Sequence, residues 1–284
     1  MSAVLGIEDA PLARLAVEQW RDGRLTAGHD MLAVEVPVAL EYNGISHAVM
    51  LASPGDLEDF ALGFSLTERI LDSAADLLDC DISASGQGLQ VQMRIAAGRF
   101  AALKEMRRNL TGRTGCGLCG AETLQQAIRR PPPVRSTAAF APAALHAAME
   151  GLQARQPLQQ QCGATHAAAW MNPDGGIALV REDVGRHNAL DKLVGALERA
   201  RCASYLDASG ALLITSRASY EMVQKAATVG IGLVAAISAP TSLAVELACE
   251  TGVTLVGFLR PHSHVVYANG RRLQVAPQET QQKK

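Results

Sequence analysis

The sequence lacks a long apolar run and an excess of charge of either sign. Its longest apolar stretch, from Ile231 to Ile237, is far shorter than the roughly 20 residues that cross a bilayer. The formal net charge is -2, whereas proteins that follow nucleic-acid phosphates usually carry a basic excess. Residues 1–9 show neither the basic start nor the apolar centre of a secretory signal. We therefore expect a cytoplasmic protein whose partners include neither a membrane nor a nucleic acid.

Cysteine is also scarce, with 6 residues in a chain of 284, and in a cytoplasmic protein most of them are expected as thiols. Cys162, Cys202 and Cys249 lie in or beside predicted helices and strands, where a small buried apolar side chain is the favoured interpretation. Cys116 and Cys119 form the close pair. Because no second pair and no compact histidine partner accompanies them, a structural zinc site is disfavoured, and we predict no intrinsic metal.

What is present is a globular composition, with 48% hydrophobic and 19% charged residues, which predicts a packed core. The N-terminal residues have a loose helical pattern. A β-rich run then closes at Asn43-Gly44, the dipeptide of a tight hairpin. A helix with Leu57, Phe60 and Phe64 on one face follows. We predict an N-terminal arm at 1–28, an α/β core at 29–60 and 130–275, an inserted α+β lobe at 61–129 and a polar tail at 276–284.

The C-terminal half alternates strands and helices. Strands are predicted at 167–170 and 177–180, around the turn that begins at Pro173, and again at 211–215, 233–237 and 253–258. Helices fill the intervals, and Gly230 and Gly252 lie where helices need a left-handed cap. Crossover helices between strands favour an α/β fold with a mostly parallel sheet.

Each of these strands is followed by a polar cluster, and ligands of open parallel sheets bind beyond the carboxyl ends of the strands. Helix N-termini at such ends offer backbone N–H groups to an anion, and Arg186, Arg217 and Arg260 strengthen that prediction. Alternatively, Asp183, Ser216 and Ser238 only cap helices while the arginines form surface pairs.

The cysteine pair lies in the segment Arg113-Thr-Gly-Cys-Gly-Leu-Cys-Gly, whose glycines allow a thiol to approach another molecule closely. Lys104, Arg107 and Arg108 precede it, and nearby positive charge favours the nucleophilic thiolate. The pair is therefore predicted to be reactive. Disulfide exchange is the main alternative chemistry on these local grounds.

Several longer motifs resemble one known family, the formate dehydrogenase accessory sulfurtransferase FdhD family, from about Glu35 to Tyr267. The motifs that carry the resemblance are Gly115–Gly120 (GCGLCG), Thr165–Trp170 (THAAAW), Glu182–Lys192 (EDVGRHNALDK), Ser216–Lys225 (SRASYEMVQK) and Ser238–Thr241 (SAPT).

The resemblance implies a homodimer with a core like that of cytidine deaminase, without its zinc. It implies that a cysteine desulfurase passes persulfide sulfur to Cys116, assisted by Cys119. The sulfur then goes to the molybdenum of a bis(molybdopterin guanine dinucleotide) cofactor, bound as a substrate, before insertion into apo formate dehydrogenase. The alternatives are a non-catalytic cofactor carrier and a dithiol oxidoreductase. The residues expected at the cofactor are Ser216, Arg217, Ser238, Phe258, Leu259, Arg260, Pro261, His262 and Ser263.

Overall fold

The computed structural model describes residues 10–86, 88–111, 130–203 and 209–274. The strands are β1 Leu12–Arg21, β2 Arg24–Ala33, β3 Val36–Tyr42, β4 Ile45–Ala52, β5 Leu77–Ser85, β6 Gly88–Ile95, β7 His166–Met171, β8 Ile177–Asp183, β9 Ala211–Ile214, β10 Leu233–Ala236, β11 Thr254–Arg260 and β12 Ser263–Ala268. The α-helices are α1 Leu57–Thr67, α2 Ala97–Thr111, α3 Pro142–Leu152, α4 Pro157–Cys162, α5 Arg186–Cys202, α6 Tyr220–Thr228 and α7 Ser242–Thr251. Among the described residues, no helix is long and apolar enough to cross a membrane.

Contacts divide the chain into two compact units. The first unit comprises Met1–Arg129, Gln156–Ala167 and Arg181–Tyr205, and the second comprises Arg130–Arg155, Ala168–Val180 and Leu206–Lys284. This division differs from the boundaries predicted from the sequence, which joined residues 29–60 to the C-terminal half. Those boundaries stay a prediction.

The first unit begins with an antiparallel ribbon of β1 and β2, paired from Leu12 opposite Ala33 to Arg21 opposite Arg24. The helical pattern predicted near the N-terminus is therefore wrong. Asp22 and Gly23 both have positive φ, at 51° and 76°, as a two-residue hairpin turn requires. The hairpin turn fixes how the two strands pair. This pairing determines the local structure, although the spacing of the apolar residues resembles that of a helix.

A four-stranded sheet with the order β4-β3-β6-β5 follows in the first unit. The predicted Asn43-Gly44 hairpin is confirmed, since both residues have positive φ and β3 pairs antiparallel with β4. The predicted helix is α1, and Leu57, Phe60 and Phe64 are buried on it. Helices α1 and α5 pack closely because Gly63 and Gly195 carry no side chain. A Cβ at either glycine would collide with the backbone of the facing helix.

The second unit contains most of the six-stranded sheet β12-β11-β10-β9-β7-β8, while residues 166–167 of β7 and 181–183 of β8 belong to the first unit. Strands β9, β10 and β11 are parallel, as expected for strands joined by the crossover helices α6 and α7. The α/β class is thus confirmed, but the mostly parallel sheet is not. Strand β7 runs antiparallel to β9, and β12 runs antiparallel to β11, to which a short turn connects it. The likeness to cytidine deaminase stays a prediction.

Candidate functional site

The candidate site lies at one edge of the sheet in the second unit. Parallel pairing of β9 with β10 and of β10 with β11 brings their carboxyl ends to the same edge. Three polar segments lie at these ends: residues 215–219, 237–241 and 258–263, of which the last runs from the end of β11 into the start of β12. Each contains residues that the sequence predicted for the ligand.

Backbone hydrogen bonds hold the three segments beside each other. Thr241 N donates to Ala218 O at 3.0 Å, and Phe258 N donates to Ser238 O at 3.3 Å. Gly257 permits the second contact, since a Cβ there would lie 2.9 Å from Tyr267 Cε2 and 3.0 Å from Pro240 Cδ. The edge is therefore a connected surface built from three adjacent loop segments.

Two helices begin at this edge, with Ser219 as the N-cap residue of α6 and Thr241 as that of α7. Neither side chain makes a capping hydrogen bond. Ser216 and Ser238 are not N-cap residues, so the helix-capping alternative does not account for them. A helix N-terminus offers backbone N–H groups to a bound anion, and here two such termini lie at the same edge.

Ser219 also lies at this edge, and it was not among the ligand residues predicted from the sequence. It is 8% exposed, and its buried Oγ has no hydrogen-bond partner among the described residues. Buried hydroxyl groups normally have a partner. An unpaired Oγ at a helix N-terminus is therefore well placed to donate to a ligand. The signal available in the sequence was a serine directly before a predicted helix.

The predicted ligand residues differ in exposure. Ser216 is buried, and its Oγ donates to the backbone oxygen of Arg217 at 3.1 Å. Ser238 is half-buried and Arg217 is exposed. Arg217 makes no ion pair within the described part of the chain, so the surface-pair alternative is not seen for it, and its guanidinium is available to an anion.

The hairpin between β11 and β12 presents a different set of groups. Phe258 is 43% exposed in a left-handed backbone conformation with φ of 50°. Leu259 is fully buried and packs in the core, so it can face a ligand only through its backbone. Arg260 Nη1 donates to the backbone oxygens of Ile237 and Leu259. The remaining predicted residues are exposed, namely Pro261, His262 and Ser263.

A histidine pair lies next to this hairpin. His264 Nδ1 is 2.8 Å from Nε2 of His146 on α3, a distance that requires one ring to donate and the other to accept. Burial, and then the neighbouring His146, lower the pKa of His264. The hydrogen bond links β12 to α3 while at least one ring is neutral.

A separate polar cluster belongs to the first unit, where β8 ends and α5 begins. Asp183 Oδ2 lies 2.7 Å from Lys192 Nζ and accepts a hydrogen bond from Ser53 N at 3.0 Å. Its Oδ1 accepts from Gly185 N at 2.8 Å and from Asn188 Nδ2 at 3.0 Å. Both carboxylate oxygens are thus engaged by the protein, which gives Asp183 a structural role.

The neighbouring Glu182 is also engaged internally. It is 8% exposed, and its carboxylate accepts from Leu158 N, Gln159 N and Thr165 Oγ1 at 2.8–3.0 Å. Burial of the His166 ring, and then the charge of Arg186, lower the pKa of His166, against the opposing effect of Asp183. The hydrogen bonds of Glu182 and Asp183 connect the end of β8 to the starts of α4 and α5. Their carboxylate oxygens are therefore largely occupied and offer little to a ligand.

Cys116 and Cys119 lie outside the described residues. Of the lone cysteines, Cys202 and Cys249 are exposed, so the prediction that they are small buried side chains is wrong for these two. Cys202 and Cys249 both lie near the C-terminal end of a helix. At a helix end, the spacing of apolar residues does not show which side chains other elements bury. Cys80 is half-buried, and burial followed by the nearby Glu58 raises the pKa of its thiol to about 11. Cys80 is therefore a thiol rather than a thiolate at neutral pH.

Within the parts of the chain that the structure describes, no group of three or more histidine, cysteine and acidic side chains is arranged to hold a metal ion. The described site is instead a strand edge with two helix N-termini, the Ser219 hydroxyl without a hydrogen-bond partner among the described residues, and the exposed Arg217. These features define a mixed α/β protein with an anion-receptive edge.

Comparison with known proteins places the chain in a family. The family model described as FdhD/NarQ matches residues 33–274, and the chain belongs to the FdhD/NarQ family. It is 59% identical over 260 residues to a sulfur carrier protein FdhD of Cupriavidus necator, covering 91% of this chain and 89% of that protein. It is 53% identical over 258 residues to the protein of the same name from Xanthomonas euvesicatoria, covering 90% of each.

A solved structure supports the fold. A Desulfotalea psychrophila protein described as a formate dehydrogenase accessory protein superposes with a TM-score of 0.71. The match has 23% sequence identity and covers 93% of this chain and 100% of that chain. The architecture described above is thus shared with an experimentally determined structure.

Proposed function

We propose that this protein is a sulfurtransferase of formate dehydrogenase maturation. It takes sulfur from the persulfide of a cysteine desulfurase onto Cys116 and delivers it to the molybdenum of a bis(molybdopterin guanine dinucleotide) cofactor. The cofactor is its bound substrate, later inserted into apo formate dehydrogenase. The sulfur carrier name of relatives that are 59% and 53% identical supports the sulfur chemistry. We also propose that the protein works in the cytoplasm as a homodimer.

Loading begins with the thiolate of Cys116. It attacks the outer sulfur of the donor persulfide, a bond forms between that sulfur and Cys116 Sγ, and the desulfurase cysteine leaves as a thiolate. The basic residues before the pair favour the thiolate form of Cys116. Cys80, by contrast, has a raised thiol pKa and is not activated for this attack.

Release uses Cys119. Its thiolate attacks Cys116 Sγ, so the two cysteines form a disulfide and the outer sulfur leaves as hydrosulfide for the bound cofactor. The sulfur gains the two electrons that the two cysteines lose. A cellular thiol reductant then returns the disulfide to two thiols, which makes the pair ready for another cycle.

The observation that carries the cofactor part of the proposal is the anion-receptive edge beside an exposed aromatic ring. The N–H groups at the start of α6 and α7, with Ser219 Oγ and Arg217, suit the pyrophosphate of a dinucleotide. The exposed ring of Phe258 suits stacking on a planar base such as guanine. Ser216, Ser238 and the hairpin residues from Arg260 to Ser263 border this surface, and Leu259 contributes its backbone.

The proposal is tested by formate dehydrogenase activation in a host that lacks its own copy of the protein. The Cys116→Ala, Cys119→Ala double variant is expected to give formate dehydrogenase that contains the cofactor but lacks its sulfido ligand and activity. The matched control, Cys80→Ala, is expected to support normal activation. Full activation by the double variant would instead establish a carrier that binds the cofactor without sulfur transfer.

The dithiol oxidoreductase alternative predicts a different result. It requires turnover of a protein disulfide, which an insulin reduction assay measures with the wild-type protein and a thiol reductant. We expect no turnover above the reductant alone. Cysteine-dependent reduction of insulin, together with activation of formate dehydrogenase by the double variant, would overturn the sulfur-transfer proposal.

A further inference from the structure

The hairpin between β11 and β12 contains a β-bulge. The pairing of the two strands shifts between Gly257 and Arg260. In this interval, Phe258 and Leu259 of β11 face the single residue His264 of β12. A bulge of this kind bends its strand and redirects side chains, and bulges are frequent beside functional sites. Phe258 is accordingly exposed, with a left-handed φ of 50°, whereas Leu259 is buried.

Helix α3 contacts the bulge from both strands, and all three elements belong to the second unit. On the β11 side, Leu259 belongs to the same core cluster as Leu145 and Met149 of α3. On the β12 side, His264 Nδ1 lies 2.8 Å from Nε2 of His146, and both histidines are half-buried. The bulge is thus held against α3 by apolar packing on one strand and by a hydrogen bond on the other.

We propose that His146 is a positioning residue. Through its hydrogen bond to His264, it keeps the bulge in the geometry that presents Phe258 at the anion-receptive edge. This inference rests on the proposed function, because it concerns how the same edge binds the cofactor. It adds a residue that contacts no ligand and acts through the hairpin.

The hydrogen bond between the two histidines depends on their protonation. One ring nitrogen must donate and the other must accept, so the bond exists while at least one ring is neutral. When both rings carry a proton, neither nitrogen can accept, and the two positive charges repel each other. Acid therefore releases the start of β12 from α3 and weakens the support of the bulge.

The surroundings of His264 define the pH range of this release. The charged and histidine side chains on the neighbouring elements are Arg260 on β11, His146 and Glu150 on α3, Glu246 and Glu250 on α7, His262 in the turn, and Arg271 and Arg272 after β12. Burial first, and then His146, lower the pKa of His264. The doubly protonated pair therefore forms below the ordinary histidine pKa of 6.5, and the hydrogen bond is intact at neutral pH.

Calorimetry at pH 7.5 tests the positioning role, with GDP as the soluble probe for the nucleotide part of the cofactor. His146→Ala is expected to weaken GDP binding about three- to tenfold, because a hydrogen bond that holds the bulge is lost. His146→Gln is the conservative variant. Its amide can donate to or accept from His264 Nδ1, so this variant is expected to retain the wild-type affinity.

The pH profile separates this role from a merely structural one. Between pH 7.5 and 5, the affinity of the wild-type protein is expected to fall about three- to tenfold further than that of His146→Gln, whose amide does not titrate. The phosphate of GDP titrates in the same range, but it does so with both proteins, so the difference between them is the readout. His29→Gln, at an exposed residue of the ribbon, is the control and is expected to keep the wild-type profile.

Backbone hydrogen exchange of residues 257–266 measures the support of the bulge without a ligand. At pH 7.5, exchange is expected to be about three- to tenfold faster in His146→Ala than in the wild-type protein and unchanged in His146→Gln. Circular dichroism verifies that each variant is folded. If His146→Ala does not fold, the comparison of the wild-type protein with His146→Gln decides the question.

Two results would overturn the positioning role. They are equal GDP affinity and equal exchange in the wild-type protein and His146→Ala, and coincident pH profiles of the wild-type protein and His146→Gln. Absence of GDP binding by the wild-type protein would instead overturn the cofactor edge of the proposed function. Hydrogen exchange alone would then show whether His146 supports the bulge.

Discussion

Asp183 and Lys192 form a fully buried ion pair, with Oδ2 and Nζ 2.7 Å apart and side-chain exposures of 0% and 1%. Lys192 Nζ also donates to Ser53 O at 3.0 Å. The pair therefore joins the end of β8, the middle of α5 and the segment before α1 within the first unit. A buried charge that loses its partner is left without compensation, so this cluster is sensitive to single substitutions.

The first prediction concerns this pair. Lys192→Met is expected to lower the free energy of unfolding by about 3–5 kcal/mol, because it leaves the Asp183 carboxylate buried without its cation. The control is Arg94→Ala, whose ion pair with Asp79 at 3.5 Å joins side chains that are 64% and 53% exposed. That change is expected to cost less than about 1 kcal/mol. Equal losses in urea unfolding at pH 7 would contradict the structural role of Asp183.

The second prediction distinguishes ligand binding from helix capping at Ser219. Ser219→Ala is expected to leave the free energy of unfolding within about 0.5 kcal/mol, because the Oγ makes no hydrogen bond within the described protein. The probe is GDP, which carries the guanine and the pyrophosphate group of the proposed cofactor. Ser219→Ala is expected to weaken GDP binding, measured by calorimetry, by roughly three- to tenfold. The control is Ser83→Ala, at an exposed residue of β5 in the first unit. A loss of stability with unchanged GDP affinity would show that Ser219 only caps α6.

The third prediction concerns the close approach at Gly257. Gly257→Ala is expected to lower the melting temperature and weaken GDP binding, because the added Cβ displaces Pro240 or Tyr267 and moves the segment after β10. Gly151→Ala in α3 is the control in the same unit, since a Cβ there meets nothing within 4 Å. Alanine in a helix is expected to stabilise by up to about 1 kcal/mol. A stabilising Gly257→Ala would contradict the described packing.

The fourth prediction concerns pH. The pKa values of His166 and His264 are lowered, by burial first and by neighbouring Arg186 and His146 respectively. At pH values below the ordinary histidine pKa of 6.5, the unfolded chain therefore binds more protons than the folded protein. The contribution of the two neutral histidines to the free energy of unfolding is therefore expected to be fully present above about pH 7. It is expected to be lost as the pH decreases.

Urea unfolding between pH 7.5 and 5 measures this effect. His264→Asn and His166→Asn are each expected to reduce the dependence of the unfolding free energy on pH. His29→Asn is the control, because His29 lies exposed on the ribbon. A steeper dependence in His264→Asn than in the wild-type protein would contradict the lowered pKa.

The sequence predicted those elements whose local signals agree with their tertiary contacts. Leu190, Leu193 and Leu197 are spaced for one helical face, and all three are buried on α5. Asn43-Gly44 predicted its hairpin because positive φ at both positions is a local requirement. The ribbon was not predicted because its register depends on the turn at Asp22-Gly23 and on pairing between the two strands. Apolar residues three and four positions apart, such as Leu12, Leu15 and Ala16, do not reveal either feature.

The site was predictable to a similar extent. Ser216, Ser238 and Phe258 were predicted at the carboxyl ends of strands, and these ends meet at one edge because β9, β10 and β11 are parallel. Their role at a ligand stays a prediction. The sequence did not distinguish Asp183, whose carboxylate is used by the protein, from residues that face outward, since burial and hydrogen bonding depend on distant segments such as the one containing Ser53. The unpaired hydroxyl of Ser219 likewise required three-dimensional neighbours to be recognised.

The central claim, sulfur transfer through the cysteine pair, is tested most directly by persulfide loading. The protein is incubated with a cysteine desulfurase and cysteine, and intact mass and peptide mass spectrometry locate the added sulfur. A gain of about one sulfur atom on Cys116 or Cys119 is expected, present in Cys80→Ala and absent in the Cys116→Ala, Cys119→Ala variant. No gain on either residue, with a desulfurase that is itself loaded with persulfide, would contradict the claim.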